Sequence, residues 1–214
     1  EMLKIANRIG FSETAFVFKT NKADFEVKFF TPKAEVDLCG HATIGLFSIL
    51  FTLKMIKNGK YRILTKAGIL EIKVEKDGSI FMKQTTPIFS NIINKEEIID
   101  SLRIKEEDLI NDLPCQIVST GLRDIIIPVK NISILNSINP NFDKIKDISK
   151  KYNVIGYHLF ALSDSNNIVA SCRNFAPLYE INEEAATGTS NGALACYLYK
   201  YGIIDKTEDI LLEQ

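Results

Sequence analysis

Three polar clusters interrupt largely apolar surroundings in this 214-residue chain, and each carries groups able to move or hold a proton. The first is Ser12-Glu13-Thr14-Ala15-Phe16, a carboxylate at the start of a strand-like run. Glu13 is either a capping or solvated side chain or an acid/base group. The second is Asp37-Leu38-Cys39-Gly40-His41-Ala42-Thr43, with His41 at the mouth of an apolar helix. Backbone N–H groups are free at such a terminus, and the helix dipole favours an anion there. His41 is either structural or set to meet an anionic substrate. Cys39 reads as a small core residue, although a helix N-terminus lowers a thiol's pKa. The third cluster runs from Glu183 to Gly192, with two acids ahead of a Gly/Thr/Ser turn that opens a second apolar helix. Gly188, Thr189 and Ser190 either cap that helix or form a nest of amides and hydroxyls for a carboxylate. No lysine follows the glycines, so this is not a phosphate-binding P-loop.

Together the clusters outline one chemistry. Two helix N-termini facing one cleft could clamp a small anion, with Glu13 and Glu184 on either side of it. Such an acid/base pair suits proton transfer at carbon with neither metal nor cofactor.

The elements that must position these clusters are written twice. The segment Phe30-Thr31-Pro32-Lys33-Ala34-Glu35-Val36-Asp37 returns from position 30 to position 175, 145 positions on, as Phe175-Ala176-Pro177-Leu178-Tyr179-Glu180-Ile181-Asn182. Each copy precedes a glycine-containing turn and an almost wholly apolar helix. Pattern and turn signals predict a helix ending near Gly10, then strands over Thr14–Lys19 and Asp24–Phe30. A helix follows over Ala42–Lys57, capped by Asn58-Gly59, then strands over Tyr61–Thr65, Leu70–Val74 and Ile80–Gln84. Asp77-Gly78 marks a hairpin turn between the last two. Short helices are expected over Lys95–Leu102 and Lys105–Asn111. The second half reads as strands Gln116–Ser119 and Asp124–Lys130, a helix Phe142–Lys151, strands Ile155–Ser163 and Ile168–Asn174, and a helix from about Asn191 to Tyr201. A helix apolar on nearly every face must be enclosed by protein. The fold class is therefore α+β: two pseudo-symmetric halves, residues 1–112 and 113–214, each a curved, mostly antiparallel sheet around a central apolar helix, with the active-site cleft between them. Set against each other, both ends look cut by a few tens of residues, the second half lacking strands after its helix and the first half a strand pair before its own.

Composition narrows the function classes. The chain is 46% hydrophobic and 25% charged with a net charge of −1, which gives no electrostatic case for nucleic acid or an anionic membrane. The longest apolar run, Ile44 to Met55, is too short to span a bilayer. Four cysteines without CxxC spacing and no secretory signal point to a reduced, cytoplasmic protein with free thiols. Two histidines, His41 and His158, are too few for a His-rich metal site.

The ordered motifs resemble the PhzF-like (phenazine biosynthesis) family of the diaminopimelate epimerase superfamily: Ser12-Glu13-Thr14-Ala15-Phe16, Leu38-Cys39-Gly40-His41-Ala42-Thr43, and Arg173-Asn174-Phe175-Ala176-Pro177 leading to Ala186-Thr187-Gly188-Thr189. The resemblance spans nearly the whole chain. It implies two pseudo-symmetric halves, a common homodimer, and a cofactor-independent isomerase of the trans-2,3-dihydro-3-hydroxyanthranilate type. It further implies that Glu13 moves the proton and that His41 and Glu184 act on a small carboxylated substrate, with Ser12, Gly40, Gly188, Thr189 and Ser190 binding it. The family's Glu-Asp-Pro-Ala-Thr-Gly-Ser segment maps onto Glu183 through Thr189, with Glu184 for Asp, Ala185 for Pro and Thr189 for Ser. Glu for Asp moves the carboxylate by about one methylene, and proton-transfer geometry is sensitive on the order of 1 Å. The substrate is thereby left open. A two-thiol epimerase or racemase is the alternative enzyme, but the positions matching its thiols are Glu13 and Glu184. A non-catalytic small-molecule binder on the same scaffold is the third reading.

Overall fold

Gly10 takes a left-handed conformation (φ 74°) and stops helix α1 (Met2–Ile9) where the sequence places its end. The computed structural model describes residues 1–165, 167–205 and 209–214. They form two compact units, Glu1–Lys83 and Gln84–Gln214.

In the first unit α1 leads to β1 (Thr14–Phe18), β2 (Phe25–Phe30), β3 (Glu35–Val36), α2 (Gly40–Thr52), β4 (Gly59–Thr65), β5 (Gly68–Val74) and β6 (Ile80–Met82). The sheet runs β1-β2-β4-β5-β6, with β3 also on β2. All its pairs are antiparallel except β2 with β4. The β5–β6 hairpin turns at Asp77-Gly78, where Gly78 has φ 89° and Ser79 N donates to Asp77 Oδ1 (2.9 Å). Val27 and Phe29 of β2, Ile63 of β4, and Ile72 and Val74 of β5 meet Phe47 and Leu50 of α2 in one core.

The second unit contains β7 (Ile88–Ile92), α3 (Lys95–Leu102), β8 (Gln116–Ser119), β9 (Arg123–Val129), α4 (Ile132–Ser137), α5 (Phe142–Tyr152), β10 (Gly156–Leu162), β11 (Ala170–Ala176), β12 (Ile181–Glu184), α6 (Gly188–Lys200) and β13 (Leu212–Glu213). Its sheet runs β12-β11-β10-β9-β8-β7, with β13 on β11. The alternation of side chains along a strand divides this sheet's faces cleanly. Ile125, Ile127 and Val129 of β9, with Tyr157 and Leu159 of β10, pack in the core that also holds Ile98, Leu135 and Ile145 of α3, α4 and α5. Ile126 and Phe160 face the other way, into a core with Leu194, Tyr197 and Leu198 of α6.

The repeated segments are one structural motif. In each copy a strand ends, the chain turns, and a short strand folds back antiparallel: Phe30 pairs with Glu35, and Ala176 with Ile181. A 13-residue helix follows in both, and a left-handed residue follows each helix, Lys54 (φ 57°) and Gly202 (φ 71°). The two halves are thus similar in element order, α1-β1-β2-β3-α2-β4 against α5-β10-β11-β12-α6-β13, and the α+β class stands.

Several expectations are corrected. The compact units divide at Lys83/Gln84 rather than at 112/113, because β7, invisible to the hydrophobic pattern, pairs with β8 and brings α3 with it. The first central helix ends at Thr52, so Asn58-Gly59 opens β4 instead of capping it. That helix is not enclosed: Ile49 is 60% exposed, whereas Tyr197, at the equivalent place in α6, is fully buried against Phe160 with its hydroxyl on Pro114 O. The second unit's β8 and β9 supply that cover, and among the described residues the first unit has no equivalent strands. Only a three-residue turn, Glu106–Asp108, forms where a helix was expected over Lys105–Asn111, and α4 was missed. No helix of the described residues is long and apolar enough to cross a membrane.

Candidate active site

Asn side chains cap α3, α4 and α5, with Asn94, Asn131 and Asn141 each accepting from a first-turn amide. Neither α2 nor α6 has a side-chain cap. Their first amides are left as donors, and these are the two helices that the sequence marks as anion-facing.

In the first unit, Glu13 lies just before β1 and Cys39 is the extended N-cap residue of α2 (φ −141°). The antiparallel return of the chain brings them together with His41 beside Gly40. His41 Nε2 lies 3.1 Å from Glu13 Oε2, and Cys39 Sγ lies 3.6 Å from His41 Nε2 and 3.7 Å from Nδ1. The Glu13 side chain is 15% exposed and that of His41 43%. Glu13 Oε2 is buried and no donor is aligned on it, so its contact with His41 is an ion pair rather than a directed hydrogen bond. His41 holds the Glu13 carboxyl below its ordinary value; burial opposes, and Ser12 and Cys39 lower it further. His41 is raised to about 10, first by Cys39 and then by Glu13. At neutral pH the pair is therefore carboxylate and imidazolium. The contact with His41 outweighs burial and keeps Glu13 ionised.

In the second unit, Glu183 and Glu184 sit on β12 rather than in a loop. Arg173 grips Glu183 with Nε and Nη2 (2.7 and 2.9 Å) and uses Nη1 on the carbonyls of Leu135 and Ile138. Arg173 is thus committed to Glu183 and those two carbonyls, and Glu184 is left without an ion pair among the described residues. Glu184 lines a cavity of about 460 Å³ together with Arg173, Glu183 and Gln214.

Gly188 and Thr189 open α6, and Gln84 and Thr120 hold their carbonyls: Gln84 Nε2 donates to Gly188 O (2.7 Å) and Thr120 Oγ1 to Thr189 O (3.0 Å). Ser190 was read as a possible hydroxyl donor to substrate. It is instead buried, and its Oγ donates to Asp124 Oδ2 (2.6 Å), leaving only its amide for a ligand.

That hydrogen bond is one end of a network the motifs did not reveal. Asn174 Nδ2 reaches Ser190 Oγ (3.4 Å) and donates to His158 Nδ1 (3.2 Å). His158 Nε2 then donates to Asn191 Oδ1 (3.1 Å), Asn191 Nδ2 to Gln214 Oε1 (3.1 Å), and Gln214 Nε2 to Glu184 O (2.8 Å). Burial lowers His158 to about 4, so it is the neutral Nε2–H tautomer that these bonds require. Asp124 is pushed up to about 6 by burial, against the pull of Ser190 and the Gly156 amide. The sequence signal for the network was the polar residues Asp124, His158 and Asn174 inside otherwise apolar strands. Register pairs His158 with Asn174 and sets Asp124 opposite Gly156, so all three lie on the α6 face.

The fold is shared with distant proteins. A hydroxyproline epimerase from Agrobacterium vitis, solved with bound trans-4-hydroxy-L-proline, shares the fold with a TM-score of 0.59 at 11% identity, over 92% of this chain and 62% of that one. Nearer is a PhzF-family phenazine biosynthesis protein from Bacillus anthracis, with a TM-score of 0.85 and 33% identity over 97% of this chain and 72% of that one. A protein of Clostridium acetobutylicum named as an uncharacterized isomerase is 39% identical over 207 residues, 92% of this chain and 68% of its own length. The family model for phenazine biosynthesis-like proteins, PhzC-PhzF, matches residues 1–214. The chain belongs to that family, and its relatives include proteins named as isomerases.

Proposed function

We propose that the protein is a cofactor-independent isomerase that moves a proton within a small carboxylated metabolite. Glu13 is the acid/base group. The observation that carries this reading is the Glu13–His41 pair, a shielded carboxylate kept ionised by an adjacent imidazolium. An ionised carboxylate accepts a proton from carbon, and once protonated it returns that proton to a second carbon of the same molecule. His41 stabilises the negative charge that develops on substrate, and the Ser12 and Gly40 backbone borders the pair. Glu184 orients the substrate, and the uncapped amides of Gly188, Thr189 and Ser190 accept its carboxylate. Glu184 in place of the family's Asp sets a substrate different in reach from the phenazine precursor.

The test is deuterium incorporation by NMR in D₂O, with trans-2,3-dihydro-3-hydroxyanthranilate and a panel of carboxylated analogues. Label entering a ligand with wild type and not with Glu13→Gln supports the reading. Label entering equally with both proteins sinks the assignment of Glu13, and binding without exchange in either identifies a binding protein.

A further inference from the structure

The Glu13–His41 pair has a third member that proton transfer does not use. Cys39 brings a thiol to the same point, and the donor atoms of Glu13, Cys39 and His41 all lie within 4.8 Å of one another. Thiolate, imidazole and carboxylate are the ligand types of three-ligand zinc sites, which keep a fourth position open. Bond lengths of about 2.3 Å to sulfur and about 2.0–2.2 Å to nitrogen and oxygen set tetrahedral donors roughly 3.3–3.6 Å apart. The Sγ–Nε2 distance of 3.6 Å and the Nε2–Oε2 distance of 3.1 Å sit close to those edges. Glu13 Oε2 is buried without an aligned donor, so no existing hydrogen bond has to break for it to ligate. His41 is the most exposed of the three side chains that supply these donors.

We propose that Glu13, Cys39 and His41 form a binding site for a thiophilic divalent cation, Zn²⁺, which shuts off the acid/base carboxylate while it is bound. Two anionic ligands, the carboxylate and the thiolate, balance the cation's charge. Binding releases the thiol proton and, where His41 is protonated, the imidazolium proton as well.

The probe is Co²⁺ titrated into the protein, followed by the thiolate-to-cobalt charge-transfer absorption, with Zn²⁺ displacing it. Wild type and Cys196→Ser, whose thiol lies on α6, should give the band at one equivalent. Cys39→Ser should lose it. His41→Gln, at an exposed position that leaves the fold intact, should weaken binding at least as much as loss of an outer-shell partner does, about 10–100-fold. No band in wild type, or a band that survives Cys39→Ser, overturns the site. Inhibition by Zn²⁺ and its relief by a chelator rest on the proposed isomerase reading. The absorption needs no substrate, so the two failures are told apart.

Discussion

Ser190→Ala is expected to destabilise the protein by an amount that depends on pH, and Asp124 supplies the reason. Asp124 is wholly buried, its Oδ1 has no partner, and its Oδ2 accepts from Ser190 at 2.6 Å. Burial raises it from 3.8 to about 6. An acid raised in the folded state contributes stability below its unfolded value, and that stability is lost as pH rises through the folded value. The shift corresponds to about 3 kcal/mol of stability lost between roughly pH 4 and pH 6. Above that window Asp124 is ionised, and the Ser190 hydroxyl is a donor to a charge, worth about 1.5–3 kcal/mol. Below it the bond joins neutral groups and is worth about 0.5–1.5 kcal/mol. Ser190→Ala should therefore cost about 2 kcal/mol at pH 8 and about 1 kcal/mol near pH 4.5. For a chain of this size the former lowers Tm by about 4–8 °C. Urea unfolding of wild type and variant at both pH values, followed by circular dichroism, measures the difference. An equal cost at the two pH values would refute the assignment of a buried, ionising Asp124.

Three further outcomes follow from the same geometry. His41→Gln should change stability by less than about 1 kcal/mol, since the His41 side chain is 43% exposed and screening discounts its ion pair, while turnover falls sharply. Turnover in wild type should stay level across neutral pH. It should fall on the acid side below the ordinary Glu value of 4.5 and on the alkaline side near the His41 value of about 10, and the alkaline limb should vanish in His41→Gln. Gly156→Ala should destabilise by at least about 1–3 kcal/mol in thermal melts, because the new Cβ would lie 1.9 Å from the Phe175 carbonyl oxygen, and backbone cannot step aside as a side chain can.

Local signals carried a large part of the architecture. The Asp77-Gly78 turn, the helix stop at Gly10 and the apolar runs of β9, β10 and α6 depend on a few neighbouring residues and were legible in the chain. So was the repeat, because two copies of one strand–turn–strand–helix unit keep the same Phe, Pro and Glu. The motifs around Glu13, His41 and Glu184 pointed to the family for the same reason: each is continuous in sequence.

Tertiary structure decided what depends on distant partners. The β7 segment has no strong period of its own and joins the second unit only because β8 offers it an edge. The exposure of Ile49 in α2 and the burial of Tyr197 in α6 follow from which strands lie over each helix, not from the helices' own composition. Cys39 is the core residue its surroundings suggest, and only the return of the chain also sets its thiol against Glu13 and His41. Asp124 and Ser190, 66 positions apart, show the limit most clearly. Each looks like an ordinary polar residue alone, and only the register of β9, β10 and β11 beneath the α6 N-terminus makes them a buried pair, because a long-range contact leaves no pattern in the sequence on either side of it.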